Sequence, residues 1–169
     1  MLYFDTETTG LLLPQAAPLE SQPHIVQFCI IADDGTSYAS LIKPPIQIPP
    51  EVSRIHGVTD AHVVYAPTFA EVANNLAQWL TGQSVSAYNA SFDQNVLRYE
   101  FMRLGRPLPP AHWFDPMHTA QYETGKRWKQ ADLYAALMGK ELLNAHDAIA
   151  DTLALKEICE ALRTRRVVA

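Results

Sequence analysis

The chain has little cysteine, no long apolar run and no excess of positive charge. Its two cysteines, Cys29 and Cys159, lie in apolar stretches without CxxC spacing, so we expect reduced core thiols in a cytoplasmic protein. The longest apolar stretch, residues 25–32, is too short to span a membrane and contains a glutamine. No basic region precedes the apolar start of the chain, so we expect neither a signal peptide nor a membrane partner.

The formal net charge of −5, from 13 basic and 18 acidic residues, argues against a broad electrostatic grip on nucleic acid. It does not exclude a nucleic-acid enzyme, because divalent cations bound by several of the acids would offset much of this charge. A length of 169 residues is enough for one domain with a substantial core. We therefore expect a single domain over residues 1–169, with a short basic end at residues 163–169.

Strands come first in the chain and then alternate with helices, which predicts an α/β fold with a mixed sheet flanked by helices. The predicted strands cover residues 2–5, 25–32, 37–42 and 84–88. The predicted helices cover residues 68–80, 91–105, 117–122, 130–138 and 147–163, and the first two begin at capping boxes of Thr68 with Glu71 and Ser91 with Gln94. Residues 14–23 form a Pro-rich loop, and residues 44–60 hold one short helical turn.

Three predicted elements each present carboxylates to a surface that should be interior. In the first strand, Asp5 and Glu7 are one residue apart and project to the same side. Two helices carry an acid on an apolar stripe of helical period: Asp93 with Leu97, Phe101 and Leu104, and Asp151 with Ala148, Leu155, Ile158 and Leu162. The sequence therefore predicts that four acids converge in the folded chain.

Such a group of acids needs compensation. A bare buried charge costs several kcal/mol, whereas a whole domain is stable by only about 5–15 kcal/mol. Arg98, Arg103, Arg106 and the basic residues 126–129 fall off the acidic stripes, so we do not expect them to neutralise the acids. Oxygen ligands suit Mg²⁺ or Mn²⁺, which makes one or two such ions the economical interpretation. Taken singly, Asp93 and Asp151 can also be first-turn acids favoured by the helix dipole.

Four segments carry a resemblance to a known family. They are FDTETTG at residues 4–10, IPPEVSRIHGVTD at 48–60, YNASFDQNVL at 88–97 and HDAIAD at 146–151. In this order and spacing they resemble the motifs of the DnaQ-like 3′→5′ exonucleases of the DEDDh group. The resemblance implies a ribonuclease H-like fold, with a five-stranded mixed sheet and helices on both faces. It also implies that the chain is one exonuclease domain.

The same resemblance implies phosphodiester hydrolysis with two Mg²⁺ or Mn²⁺ ions. Asp5, Glu7 and Asp151 would hold the first ion, and Asp5 with Asp93 the second. His146 would be the general base, since an unperturbed histidine titrates near about pH 6.5 and can accept a proton at neutral pH. Read alone, a histidine such as His146 is more often a helix-start or surface residue than a catalytic base.

The resemblance also implies residues that contact the 3′-terminal nucleotide. These are the backbone of Thr6, Thr8 and Gly10, the Glu51 carboxylate at the sugar hydroxyl, and His56. Without the resemblance, Glu51 is an ordinary first-turn acid and His56 a helix-end residue.

The family's second motif commonly begins with His-Asn, where this chain has Tyr88 and Asn89. Asp147 follows His146 where many proofreading subunits have Arg; it either adds negative charge beside the base or caps the last helix. We expect the C-terminal tail that ties proofreading subunits to a polymerase to be missing.

The expected activity is removal of nucleoside 5′-monophosphates from the 3′ end of single-stranded DNA. RNA trimming or oligoribonuclease activity is one alternative. A non-catalytic nucleic-acid-binding module that serves a DNA polymerase partner is another.

Overall fold

The computed structural model describes the backbone of residues 1–168 and the side chains of residues 1–164. Its strands are β1 (Leu2–Thr8), β2 (Ile25–Ala32), β3 (Ser37–Leu41), β4 (Ser84–Ser86) and β5 (His112–Phe114). They form one sheet in the order β3-β2-β1-β4-β5. β1 pairs antiparallel with β2 and parallel with β4, β2 pairs antiparallel with β3, and β4 pairs parallel with β5. The predicted mixed sheet of five strands is confirmed.

Helices cover both faces of this sheet. They are α1 (Pro50–His56), α2 (Asp60–Val63), α3 (Phe69–Leu80), α4 (Ala90–Arg103), α5 (Pro116–Thr124), α6 (Gln130–Met138) and α7 (Ala148–Val168). On one face α3 and α4 share the largest apolar cluster with residues of β1 and β2, Phe4 and Phe28 among them. On the other face α7 packs Leu155 and Cys159 against Tyr3, while α5 and α6 pack on α7. No helix within residues 1–168 is long and apolar enough to cross a bilayer.

The first strand extends three residues beyond its predicted end. Asp5 pairs with Cys29 and Glu7 with Gln27 of β2, and the register shifts only after Glu7. Side chains alternate along a strand, so Asp5 and Glu7 share the face of Tyr3, which is the face that α7 covers. The central strand therefore presents both acids to the start of α7.

A buried ionic network fastens the segment before β2 to α4. The Glu100 carboxylate accepts a hydrogen bond from the backbone N–H of Ile25 (3.0 Å) and lies 3.2 Å from His24 Nδ1 and 3.2 Å from Arg103. The Arg103 guanidinium in turn donates to the carbonyls of Leu19, Gln22 and Pro23. The backbone of His24 bonds Thr9, so this network also supports the chain just after β1.

Several predicted elements differ in detail from those in the structure. The capping box of Thr68 and Glu71 is confirmed, and the Glu71 carboxylate accepts from the Thr68 backbone N–H at 2.7 Å and from Thr68 Oγ1 at 2.8 Å. The capping box at Ser91 is wrong: α4 begins at Ala90, and its N-cap is Asn89 in the left-handed region (φ 60°). β5 and α2 were not predicted, because runs of three and four residues are too short to show a period.

Candidate active site

A cluster of ionisable groups lies where β1 meets the beginning of α7. Ligand atoms of Glu7, His146 and Asp151 all lie within 4.8 Å of one another. Asp5 lies on the same face of β1, and its carboxyl interacts electrostatically with Glu7, Asp151 and Asp93. Of the five residues predicted to carry the chemistry, the structure therefore groups three within ligand distance of each other and sets Asp5 close by.

Asp93 reaches the cluster from the opposite side of the sheet. It lies in the first turn of α4, is 2% exposed, and accepts a 2.7 Å hydrogen bond from Thr6 Oγ1. The structure does not place Asp93 among the residues that line the open cleft described below. Its contribution in this structure is a negative charge beside Asp5.

The pKa values of these four acids are all raised, chiefly because the carboxyl groups are buried. Burial, followed by the charges of Asp151 and Asp93, raises the pKa of Glu7 to about 8. Burial raises the pKa of Asp93 to about 7, against the opposing hydrogen bond from Thr6. Burial and the charge of Asp93 hold the pKa of Asp5 well above its usual range, and burial also raises the pKa of Asp151. Four acids that resist ionisation together are the donor set that a divalent cation stabilises.

The beginning of α7 is fixed to the sheet by two polar side chains that the sequence did not single out together. Asp147 caps the helix, because its Oδ1 accepts from the backbone N–H of Ile149 (3.1 Å) and Ala150 (3.0 Å). The buried Gln27 of β2 donates to Asp147 Oδ2 and accepts from the N–H of Ala148, both at 3.3 Å. Gln27 pairs with Glu7 across the sheet, so it sets the distance between the two acidic elements.

His146 precedes this cap in a constrained backbone. Its φ is 67°, and Asn144 nearby has a φ of 57°, a left-handed conformation that costs side-chain-bearing residues about 1–2 kcal/mol. The N–H of His146 donates to Asp151 Oδ2 at 2.9 Å, which ties the segment to the acid. The imidazole is exposed. The backbone is therefore held while the side chain stays accessible at the cluster.

The predicted substrate residues divide into two groups. Thr6, Thr8 and Gly10 lie at and after the end of β1, where Thr8 Oγ1 donates to the Gly10 carbonyl at 2.7 Å. Glu51 is exposed in the first turn of α1 and does not line the cleft in the described part of the chain. Its contact with a sugar hydroxyl stays a prediction.

Both ring nitrogens of the buried His56 already have protein partners. Nδ1 accepts from the N–H of Val58 at 3.0 Å, so Nε2 carries the hydrogen and donates to the Thr8 carbonyl at 3.2 Å. Burial lowers the pKa of His56, the bond to Thr8 opposes this shift, and the nearby His146 adds to it. His56 therefore supports the backbone after β1, and its direct contact with a nucleotide stays a prediction.

An open cleft of about 550 Å³ lies over the cluster. Asp5, Glu7, His146 and Asp151 line it together with the following residues: Thr6, Leu11, Tyr88, Asn89, Phe92, Met117, Arg127, Trp128, Lys129, Gln130, Ala131, Leu142 and Ala145. The sequence had set the basic residues 126–129 apart from the acidic stripes, and they do lie off those helices. The loop between α5 and α6 nevertheless brings Arg127 and Lys129 to the same cleft.

An acid that the sequence did not single out fixes two residues of the cleft lining, Asn89 and Met117. Asp115 accepts hydrogen bonds from the backbone N–H groups of Asn89 and Ala90 at 3.1 Å each, and from that of Met117 at 3.0 Å. It thereby caps α5 and holds the start of α4. The only sequence signal for this role was an Asp before Pro116, which is a common helix start.

Comparison with known proteins gives the family. The model of the exonuclease family RNase T matches residues 2–159. The chain belongs to this exonuclease family, and the predicted resemblance to DnaQ-like exonucleases is confirmed. It is accordingly a hydrolase that acts on nucleic acid.

Two relatives illustrate the range of sequence identity and coverage. The chain is 29% identical to DNA polymerase III subunit epsilon of Escherichia coli (strain K12) over 172 residues, covering 95% of this chain and 70% of that protein. It is 34% identical to the uncharacterized exonuclease CP81 of Escherichia phage 186, covering 57% of this chain and 46% of that protein. This chain thus spans between 46% and 70% of the length of these two relatives.

Solved structures share the fold at lower identity. Exonuclease I matches 96% of this chain and 40% of its own with a TM-score of 0.77 and 23% identity. The nuclease domain of 3′hExo, a DEDDh family member bound to rAMP, matches 98% of this chain and 90% of its own with a TM-score of 0.76 and 16% identity. The ribonuclease H-like α/β fold is therefore confirmed.

Proposed function

We propose that this protein is a 3′→5′ exonuclease that releases nucleoside 5′-monophosphates from the 3′ end of single-stranded DNA. The observation that carries the proposal is the convergence of Glu7, His146 and Asp151 within 4.8 Å, beside Asp5 and at the floor of an open cleft. Such a site suits a strand end that enters from solvent. Residues 1–169 would form one exonuclease domain, and two buried free thiols suit a reducing compartment such as the cytoplasm.

Asp5, Glu7 and Asp151 would hold one Mg²⁺ or Mn²⁺ ion, and Asp5 with Asp93 a second. When bound, such ions supply an acidified water and neutralise charge on the leaving oxygen. The donor set fits: it consists of carboxylate oxygens whose pKa values are raised by burial and, for Asp5 and Glu7, also by the neighbouring acids. Asp93 is buried and bonded to Thr6, so we propose that it reaches the second ion through a water molecule rather than directly.

His146 would accept the proton of the attacking water. Its imidazole is exposed at the cluster, and its backbone is held by Asp151 at 2.9 Å, so the ring can turn towards the cleft while its anchor stays fixed. Tyr88 and Asn89, which replace the more usual His-Asn, line the opposite wall and would contact the terminal nucleotide. The backbone of Thr6 to Gly10 would form the floor under that nucleotide.

We choose single-stranded DNA as the substrate because a protein of similar fold, Escherichia coli exonuclease I, has been solved in complex with a dT13 oligonucleotide. A second candidate is RNA, because the 3′hExo nuclease domain binds rAMP. The epsilon relatives carry the name of DNA polymerase III, so a DNA polymerase is the partner class that we propose to test first.

One gel assay tests substrate, polarity and catalysis together. DNA and RNA oligonucleotides of equal sequence, labelled at the 5′ end, are incubated with Mg²⁺ or Mn²⁺, with EDTA as the blank. We expect a ladder that shortens from the 3′ end on DNA, and no ladder for Asp151→Asn, whose fold is checked by circular dichroism. Preference for the RNA strand would establish the second candidate instead. Tight binding of both strands without turnover in Mn²⁺ would overturn the proposal in favour of a binding module.

A further inference from the structure

The loop between α5 and α6, residues 125–129, forms the basic wall of a cleft whose floor is acidic. We infer that Arg127 and Lys129 bind backbone phosphates of the substrate strand on the 5′ side of the scissile bond. This inference rests on the proposed exonuclease function and assigns to the site a contact that holds the strand rather than one that carries out hydrolysis. Below, the basic loop means residues 125–129.

The first observation that supports this contact is the distribution of charge in the cleft. Among the described residues that line the cleft, Arg127 and Lys129 are the two with a permanent positive charge, whereas Asp5, Glu7 and Asp151 are acidic. Metal ions at the acids can neutralise only the phosphate that reacts. The next phosphates of an entering strand would otherwise meet a protein of net charge −5, and cations at the cleft wall remove that repulsion.

The attachment of the basic loop is the second observation. Tyr88 Oη donates to the Trp128 carbonyl at 2.8 Å, and Trp128 Nε1 donates to Thr124 Oγ1 at 2.9 Å. Just after the loop, Gln130 Nε2 donates to the carbonyl of Asp151 at 2.6 Å. The basic loop is therefore bonded to Tyr88 through its own backbone and is linked to α7 by the side chain of the adjoining Gln130. A phosphate held by it keeps a fixed distance from the acids, which is what positions a scissile bond.

Two of the three cationic side chains in the basic loop line the cleft, and the third does not. Lys126 Nζ stacks over the Trp128 ring at 3.9 Å from its centroid, and Lys126 does not line the cleft in the described part of the chain. Arg127 and Lys129 are both exposed and do line it. Two cations at positions i and i+2 with their heads in solvent can contact phosphates with little desolvation cost, and an arginine fork suits phosphate oxygens.

The test compares two substrates of one enzyme. The p-nitrophenyl ester of thymidine 5′-monophosphate has a scissile phosphodiester and no phosphate on the 5′ side, whereas the oligonucleotide dT12 has many. We expect each of Arg127→Gln and Lys129→Gln to lower kcat/KM on dT12 by about tenfold more than on the ester, because a charge-assisted hydrogen bond contributes on this scale. Lys43→Gln removes the same charge from a site away from the cleft and should leave both rates at wild-type values.

Salt dependence gives a second readout. The slope of log kcat/KM against log salt on dT12 should flatten by about 0.7 for each phosphate contact that is lost. Wild-type rates and slope for the two variants on dT12 would overturn the inference and leave the proposed function standing. An equal loss on both substrates would also overturn it, because the loop would then act on the acids. Failure of the wild type to cleave either substrate would instead overturn the proposed function and the inference with it.

Discussion

Neutralising one acid of the cluster should stabilise the metal-free protein while it removes activity. Glu7 is the suitable position, because burial and the charges of Asp151 and Asp93 raise its pKa from 4.5 to about 8. Glu7→Gln keeps the size and shape of the side chain and removes its charge. If Glu7 served only to stabilise the fold, Glu7→Gln would instead lower the stability of the protein.

The sign and size follow from proton linkage. In the unfolded chain Glu7 loses its proton near pH 4.5, and in the folded metal-free protein near pH 8. Between these values the folded state binds more protons, so the free energy of unfolding falls as pH rises. From pH 5 to pH 8 this one carboxyl lowers the free energy of unfolding by about 3 kcal/mol. This is less than three times the limiting slope of about 1.4 kcal/mol for each pH unit, because the group is partly titrated at both ends of the range. For a domain of this size that is a fall of roughly 6–12 °C in Tm.

Differential scanning calorimetry in EDTA between pH 5 and pH 9 measures this effect. The Tm of Glu7→Gln should exceed that of the wild type by the calculated margin at pH 8 and approach it at pH 5. Added Mn²⁺ should then raise the Tm of the wild type much more than that of the variant. Glu141→Gln removes a charge from an exposed position and serves as control. Equal Tm values for wild type and Glu7→Gln at pH 8 would refute the reasoning.

Three further changes test other parts of the structure. His146→Gln should lower kcat by about 10²–10⁴-fold, as measured by steady-state kinetics, since a general base is lost. Gln27→Leu should lower kcat by about tenfold with little change in KM, because the start of α7 loses the side chain that fixes it to β2. Glu100→Ala should lower the free energy of unfolding by about 3–5 kcal/mol in urea titrations, because His24 and Arg103 lose their buried partner.

Each of these has its own contradicting outcome. Unchanged kcat in His146→Gln would assign the base elsewhere. A Gln27→Leu variant with a changed KM and a normal kcat would place Gln27 in substrate binding rather than in positioning α7. Wild-type stability of Glu100→Ala would show that the network around Arg103 does not hold the segment before β2.

The acidic stripes were predictable from sequence because each rests on a local period. On α7, Asp151 and Leu155 fall on one helical face, and both are buried in the structure. The alternation of β1 likewise placed Asp5 and Glu7 together. These patterns extend over many residues, so tertiary context did not override them.

What the sequence did not show depends on contacts between distant segments. Arg127 and Lys129 lie in a loop without any period, and the bonds that link this loop and the adjoining Gln130 to Tyr88 and Asp151 join segments far apart in the sequence. Gln27 looked like a polar interruption of a buried strand, because its partner Asp147 is 120 residues further along the chain. Side-chain bonds of this range leave no trace in local composition.

We propose that Asp5, Glu7, Asp93 and Asp151 form a divalent-metal centre. Anomalous diffraction from crystals soaked in Mn²⁺, with thymidine 5′-monophosphate added, detects such a centre. We expect two manganese peaks, one bound by Asp5, Glu7 and Asp151 and one on the Asp5 and Asp93 side. A map without anomalous density among these four carboxylates would contradict it.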